Sequence, residues 1–152
     1  MNEYNITLIG HRDISSEEHL DSKLYSLLYD LTKERSYLNF YIGRHGGFDI
    51  MAASVVKSLQ KNIGKENIAL TLVLPYHVSD IEYYGNYYDG IIIPQSLHGI
   101  HPKSAITKRN IWMADECDLL ICFVQRKNGG AYTALKHALS IGKPVINLAD
   151  RK

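Results

Sequence analysis

Short apolar runs that end in glycine or proline alternate along this chain with segments of helical periodicity, and this alternation is what most constrains the fold. The apolar runs predict six strands, at residues 4–10, 39–43, 68–75, 90–94, 118–124 and 144–148. Between them apolar residues recur at helical spacing, as at Leu20, Leu24 and Leu28, and further helices are expected at about 103–116 and 131–141. Strands that alternate with helices predict an α/β fold, a Rossmann-like three-layer sandwich with a mainly parallel sheet.

Length and composition are those of an ordinary globular domain. The 152 residues, 45% of them apolar and 22% charged, predict a single domain over 1–152. The start of the chain has no basic segment followed by an apolar core, and no apolar run approaches the roughly 20 residues of a membrane helix. A cytoplasmic protein without membrane contact is therefore expected. Cys117 and Cys122 form neither a disulfide framework nor a CxxC pair.

The loops that follow the predicted strands carry glycines and cationic side chains. In a parallel sheet these loops open at one edge, where ligands bind if the strand order reverses. We therefore take as candidate ligand-binding residues those that follow strands one, two and five: Gly10, His11, Arg12, Arg44, Gly46, Gly47, Asp49, Gly129, Gly130 and, one turn into the last helix, Thr133.

Two of these loops end in a Gly-Gly pair directly before a helix. Glycine lets a ligand approach the main chain, and the first amides of a helix lack internal partners, so a phosphate fits there. A plain tight turn would use the same residues. Neither GxGxxG nor a Walker A sequence is present, and no dinucleotide, ATP or other cofactor is expected.

The helix before strand five, "TKRNIWMADECD", has an apolar stripe formed by Ile106, Met113 and Cys117. Arg109 and Asn110 lie outside that stripe, near the start of the helix. From spacing alone a solvated charged face is the favoured interpretation. We also retain both residues as candidate ligand-binding residues.

Four motifs occur in an order that resembles the SLOG superfamily, named for the Smf/DprA and LOG proteins. They are "GHRD", "GGFDIMAA", "KRNIWMADECDLLICF" and "NGGAYTALKHALSIGKPV". Within that superfamily the chain looks most like the small bacterial and phage proteins of the YpsA/YoqJ type (DUF1273). The resemblance implies a Rossmann-like fold that binds nucleotides or nucleotide-derived ligands at the edge described above.

LOG enzymes are phosphoribohydrolases with an arginine four residues before a methionine and a PGGxGTxxE loop. Arg109 and Met113 match the first pattern, and Gly129, Gly130 and Thr133 match part of the second. Lys136 stands where the LOG glutamate is expected. An ammonium group cannot stabilise a developing oxocarbenium cation, so the LOG mechanism is disfavoured. Asp49 or Asp13 could supply the missing carboxylate, and no catalytic residue is assigned.

Three functional hypotheses follow. The first is a sensor or carrier that binds a small phosphorylated, nucleotide-like ligand. The alternative is an enzyme, a nucleoside-5'-phosphate N-glycosidase with a non-standard carboxylate. The third, a DNA-handling module, is placed last because the net charge is only +1, so nucleic acid is expected to be an unlikely partner. A homodimer is possible.

Two further clusters leave alternatives open. Tyr83, Tyr84, Tyr87 and Tyr88 form either a flap over the ligand edge or a dimer surface. His98 and His101 lie three residues apart in a loop, but a metal site needs more ligands than they supply, and no metal is expected.

Overall fold

Six strands form one sheet in the computed structural model, which describes residues 3–150. The strands are β1 (Tyr4–Gly10), β2 (Leu38–Ile42), β3 (Ile68–Val73), β4 (Gly90–Ile92), β5 (Leu119–Phe123) and β6 (Val145–Asn147). Their order across the sheet is β4-β3-β2-β1-β5-β6, and every neighbouring pair is parallel. The predicted α/β class with a parallel sheet is confirmed. The predicted domain of 1–152 includes positions 1, 2, 151 and 152, which lie outside the described residues.

Helices cover both faces of the sheet. They are α1 (Leu20–Glu34), α2 (Gly46–Ile63), α3 (Ile81–Tyr84), α4 (Pro102–Glu116) and α5 (Gly130–Ser140). α1 packs on α2 and α4 packs on α5, and the two pairs lie on opposite faces of the sheet. The short helix α3 and a 3₁₀ turn at Gln95–Leu97 were not predicted.

The core is divided between the two faces because successive strand residues point in opposite directions. In β5, for example, Ile121 and Phe123 join the cluster under α1 and α2. Leu120 and Cys122 instead pack under α5, against three alanines of that helix. The alanines are small, so α5 lies close to the sheet, and its amino end is held near the ends of β1 and β5.

The end of β1 touches α2 at a position where only glycine fits. A Cβ added to Gly10 would lie 2.4 Å from Cγ of Phe48, a fully buried ring in the first turn of α2. This contact holds the amino end of α2 against the carboxyl end of β1. Among residues 3–150, no helix is long and apolar enough to cross a membrane.

Candidate functional site

A cavity of about 350 Å³ lies at the carboxyl edge of the sheet, beyond β1, β2 and β5. Its walls come from the ends of β1 and β2, the middle of α4, and the amino ends of α2 and α5. It brings together eight of the predicted site residues: Gly10, His11, Arg12, Asp49, Arg109, Asn110, Gly129 and Gly130.

Eight lining residues were not among the predicted site residues: Ile9, Gly43, His45, Ile106, Met113, Arg126, Asn128 and Ala131. Gly43, His45, Arg126 and Asn128 lie in the loops after β2 and β5, which the sequence already places at this edge of the sheet. Ile106 and Met113 lie three or four residues from Arg109 and Asn110 on α4, so helical periodicity could have identified both. They give the cavity an apolar wall beside its charged one.

The amino end of α5 opens into the cavity. Gly129 precedes the helix with φ of +91°, a left-handed conformation that favours glycine. Within residues 3–150, no acceptor takes the amides of Gly130, Ala131 or Tyr132, whereas the amide of Thr133 bonds to the carbonyl of Gly129. Three unpartnered amides and the positive end of the helix dipole therefore lie at the start of α5, where Gly130 and Ala131 line the cavity.

The amino end of α2 differs, and the expectation that both Gly-Gly pairs offer free amides needs correction. The amide of Gly47 donates to the carbonyl of Arg12 at 2.6 Å, and that of Phe48 donates to the carbonyl of His11 at 3.3 Å. A Cβ on Gly46 would lie 2.7 Å from Cα of Arg12. Gly46 and Gly47 thus allow the loop after β1 to pack on the helix, and neither lines the cavity.

Arg109 and Asn110 are buried, not part of a solvated face. Arg109 is only 5% exposed, and its guanidinium donates from Nη1 to the carbonyl of Val73 and from Nε to Oδ1 of Asn110, both at 2.9 Å. Burial lowers the pKa of Arg109, and the nearby carboxyl of Asp49 opposes that shift. Arg109 and Asn110 lie three or four residues from Ile106 and Met113, so helical spacing places them on the same side of α4 as the apolar stripe, and that side is buried.

Asp49 places a buried carboxyl in the same cavity. It is 8% exposed, and its Oδ2 accepts a hydrogen bond of 3.0 Å from the amide of His45. Burial raises the pKa of Asp49 to about 7, although Arg109, the amide of His45 and Arg12 favour the ionised form. A carboxyl with such a pKa exchanges a proton near neutral pH.

Gly43 lies between Asp49 and Arg109. A Cβ at this position would lie 2.9 Å from Oδ2 of Asp49 and 3.1 Å from Nη1 of Arg109. A side chain here would therefore press against both charged groups, which explains the glycine at the end of β2.

The two histidines of the cavity are biased toward their neutral forms. Burial, together with the charge of Arg126, lowers the pKa of His11. Burial also lowers the pKa of His45, with smaller contributions from Arg44, Arg109 and Arg12. The cavity therefore holds several arginines, but its imidazoles add no charge at neutral pH.

Two further predicted residues, Arg44 and Thr133, do not line the cavity. Arg44 points to the tyrosine cluster, where its Nη1 donates to the hydroxyl of Tyr84 at 3.4 Å and its guanidinium lies over that ring. The Thr133 hydroxyl donates to the carbonyl of Gly129 instead. Lys136, at the position of the LOG glutamate, lies over the ring of Tyr132 and is exposed.

The tyrosine cluster, Tyr83, Tyr84, Tyr87 and Tyr88, does not line the cavity. Its rings pack on one another, and Tyr84 covers the guanidinium of Arg44. His101, of the histidine pair, caps α4, since its Nδ1 accepts from the amide of Lys103 at 3.3 Å.

Comparisons with known proteins find similarity at the level of the fold. No family model and no curated protein matches the sequence. DNA processing protein A (DprA) from Streptococcus pneumoniae shares the fold, with a TM-score of 0.65, 17% identity, and coverage of 93% of this chain and 49% of that one. DprA from Helicobacter pylori has a TM-score of 0.63 and 16% identity over 93% of this chain and 63% of that one. The structural-genomics target TM1055 has a TM-score of 0.54 and 14% identity, over 93% and 72%.

These similarities support the fold that the SLOG resemblance implies. The chain spans about half the length of the Streptococcus pneumoniae DprA and 63% of the Helicobacter pylori one. The expectation that nucleic acid is an unlikely partner is contradicted, because the Helicobacter pylori structure is described by its single-stranded DNA binding mode. A net charge of +1 is a poor guide, since it averages over the whole surface, whereas Arg12, Arg109 and Arg126 converge on one cavity.

Replacing Asp49 by asparagine should change how stability depends on pH. In the unfolded chain the carboxyl loses its proton near pH 3.8, but in the folded protein only near 7, so ionisation costs stability progressively from about pH 4 to 7. The amide oxygen of Asp49→Asn can still accept from His45. We therefore expect the free energy of unfolding of the variant to exceed that of the wild type by an amount that grows across that window, to about a few kcal/mol by pH 8. Urea unfolding at pH 5 and pH 8 measures this gain. The exposed control Asp30→Asn should show the same change in stability between the two pH values as the wild type. An equal change in Asp49→Asn would refute the raised pKa of Asp49.

Proposed function

We propose that this chain binds a nucleotide or a nucleotide-derived phosphorylated ligand in the cavity at the carboxyl edge of its sheet, as a sensor or carrier. The phosphate would occupy the amino end of α5, and the sugar and base would extend along Ile106 and Met113. The volume of about 350 Å³ lies within the range of roughly 300–1,000 Å³ usual for small-molecule sites.

The observation that carries this proposal is the set of unpartnered amides at Gly130, Ala131 and Tyr132, the first two of which belong to residues lining a cavity that also contains Arg109. Amides at a helix amino end bind phosphate oxygens directly. A guanidinium that is already held by two hydrogen bonds is pre-oriented, so it loses little freedom when an anion arrives.

We also propose that the chain belongs to the SLOG superfamily and, within it, to the YpsA/YoqJ type. The fold shared with DprA supports the superfamily. The order of the four sequence motifs supports the narrower type.

Substituting Arg126 should test the ligand proposal, and its neighbour Lys127 offers a matched control. Arg126 lines the cavity, whereas Lys127, equally charged and exposed, does not. Arg126→Ala should weaken binding of a nucleoside monophosphate by about tenfold, the value of one exposed charged hydrogen bond. Lys127→Ala should change the affinity less than twofold. Isothermal titration calorimetry with a panel of nucleoside monophosphates measures both.

The same titration should include the free nucleosides and a short single-stranded DNA. Loss of affinity for the monophosphate but not for the nucleoside places the phosphate near Arg126. If only DNA binds, and Lys127→Ala weakens it as much as Arg126→Ala, the site is a nucleic-acid surface and the small-ligand proposal fails.

A second candidate function, N-glycosidic hydrolysis of a nucleoside 5'-phosphate, is favoured by Asp49. A buried carboxyl with a pKa of about 7 that lines the cavity can act as the acid or base that the LOG glutamate position lacks. It would protonate the leaving base or take a proton from the attacking water. In either role it works near neutral pH.

Release of free base from nucleoside monophosphates, followed by chromatography, tests this candidate. Asp49→Asn should lower the rate by about 10²–10⁴-fold because the amide cannot transfer a proton. The matched control Asp13→Asn, at an exposed position outside the cavity, should retain the wild-type rate. Recovery of intact ligand from the wild type, or an undiminished rate in Asp49→Asn, would exclude Asp49 as an acid–base catalyst.

A further inference from the structure

We infer that His11 is a positioning residue whose neutral imidazole holds the loop between β5 and α5, residues 124–129, in the arrangement that forms one wall of the cavity. The part of this inference that concerns ligand binding rests on the proposed function. The part that concerns the loop stands without it.

One ring nitrogen of His11 anchors the start of this loop. Nε2 accepts hydrogen bonds from two consecutive amides, those of Gln125 at 2.9 Å and Arg126 at 3.1 Å. Both partners are donors, so Nε2 must carry its lone pair and the ring proton must be on Nδ1. The contact joins residues 114 and 115 positions apart in the chain.

His11 is itself held firmly by three elements. Its side chain is 5% exposed, and its ring packs edge-on against Phe123 with a centroid distance of 6.0 Å. Its amide donates to the carbonyl of Phe123, and its own carbonyl accepts from the amide of Phe48. His11 is therefore held in place by β5 and α2, and its imidazole connects the end of β1 to the loop.

The loop carries three lining residues, Arg126, Asn128 and Gly129, into the cavity. The carboxamide of Asn147 bonds the amide and carbonyl of Val124, and the Gln125 side chain reaches Glu17 at 3.4 Å. Within residues 3–150, Arg126 makes no hydrogen bond other than the one that its amide donates to His11. Loss of the imidazole acceptor should therefore displace the charged part of the wall while β5 stays in place.

Protonation of His11 would have the same effect, because an imidazolium presents an N–H to both amides and can accept from neither. The charged and titratable groups around this cavity are Arg12, His45, Asp49, Arg109 and Arg126. Burial and Arg126 keep the pKa of His11 below its ordinary value of 6.5. The loop should thus be held at neutral pH and released only in acid.

The test uses amide hydrogen exchange and the ring nitrogen shifts of His11, both by NMR on the full chain at pH 7.5. Wild-type His11 should show a proton on Nδ1 and none on Nε2. His11→Phe keeps an aromatic ring but removes the acceptor, and should speed exchange at Gln125 and Arg126 at least tenfold more than at Leu8. His11→Gln, which restores an acceptor, should recover part of that protection. His98→Phe, at an exposed loop position, is the control and should change neither amide.

Equal exchange at the loop amides in His11→Phe and wild type would overturn the inference, and so would a uniform acceleration that includes Leu8. If His11→Phe does not fold, acid titration of the wild type decides: the Gln125 and Arg126 amide shifts should follow the titration of the His11 ring, and independence would overturn the inference. Nucleoside monophosphate affinity separates the two proposals. If the wild type binds no nucleoside monophosphate but its loop amides respond to His11→Phe or to acid, the proposed function fails and the inference about the loop stands. If the wild type binds a nucleoside monophosphate and His11→Phe binds it equally tightly, only the link between the loop and ligand binding fails.

Discussion

The position of β1 between β2 and β5 is the constraint on which the cavity depends. After β1 the chain passes to α1 on one face of the sheet, whereas after β5 it passes to α5 on the other face. The connections that follow two such neighbouring strands leave in opposite directions, so a crevice forms outside the carboxyl ends of the strands. The buried side chains of α4, Arg109 and Asn110, form one wall of that gap, and the first residues of α2 and α5 form others.

The two Gly-Gly pairs show how one sequence pattern serves two physical purposes. At α2 the amides of Gly47 and Phe48 are occupied by carbonyls of the loop after β1, so the pair produces close packing. At α5 the corresponding amides, those of Ala131 and Tyr132, find no acceptor within residues 3–150, and Ala131 lines the cavity. The difference depends on whether a neighbouring loop contacts the first amides of the helix. The residues at the start of the helix do not predict that contact.

The fold was largely predictable because alternation of strand and helix patterns is a local signal. The predicted strands agree with β1 to β6 to within two residues at either end, and α4 and α5 begin within one residue of their predicted starts. Eight of the twelve predicted site residues line the cavity, since the rule about the carboxyl edge depends only on topology. What sequence could not provide was contact between distant segments: the burial of Arg109, the raised pKa of Asp49, and the bond from His11 to residues 125 and 126. The contact of Arg44, which does not line the cavity, was unforeseen for the same reason, because its partner is Tyr84 on α3, a helix of four residues with no periodic signal.

In the binding mode that we propose, the amino end of α5, and not that of α2, receives the anionic group. The most direct measurement is the change in backbone amide chemical shifts as a nucleoside monophosphate is added to the ¹⁵N-labelled protein. We expect large changes at Gly130, Ala131 and Tyr132, with Gly47 and Phe48 nearly unchanged because their amides are already bonded within the protein. Shifts confined to the start of α2, or an unperturbed α5 in the presence of saturating ligand, would contradict it.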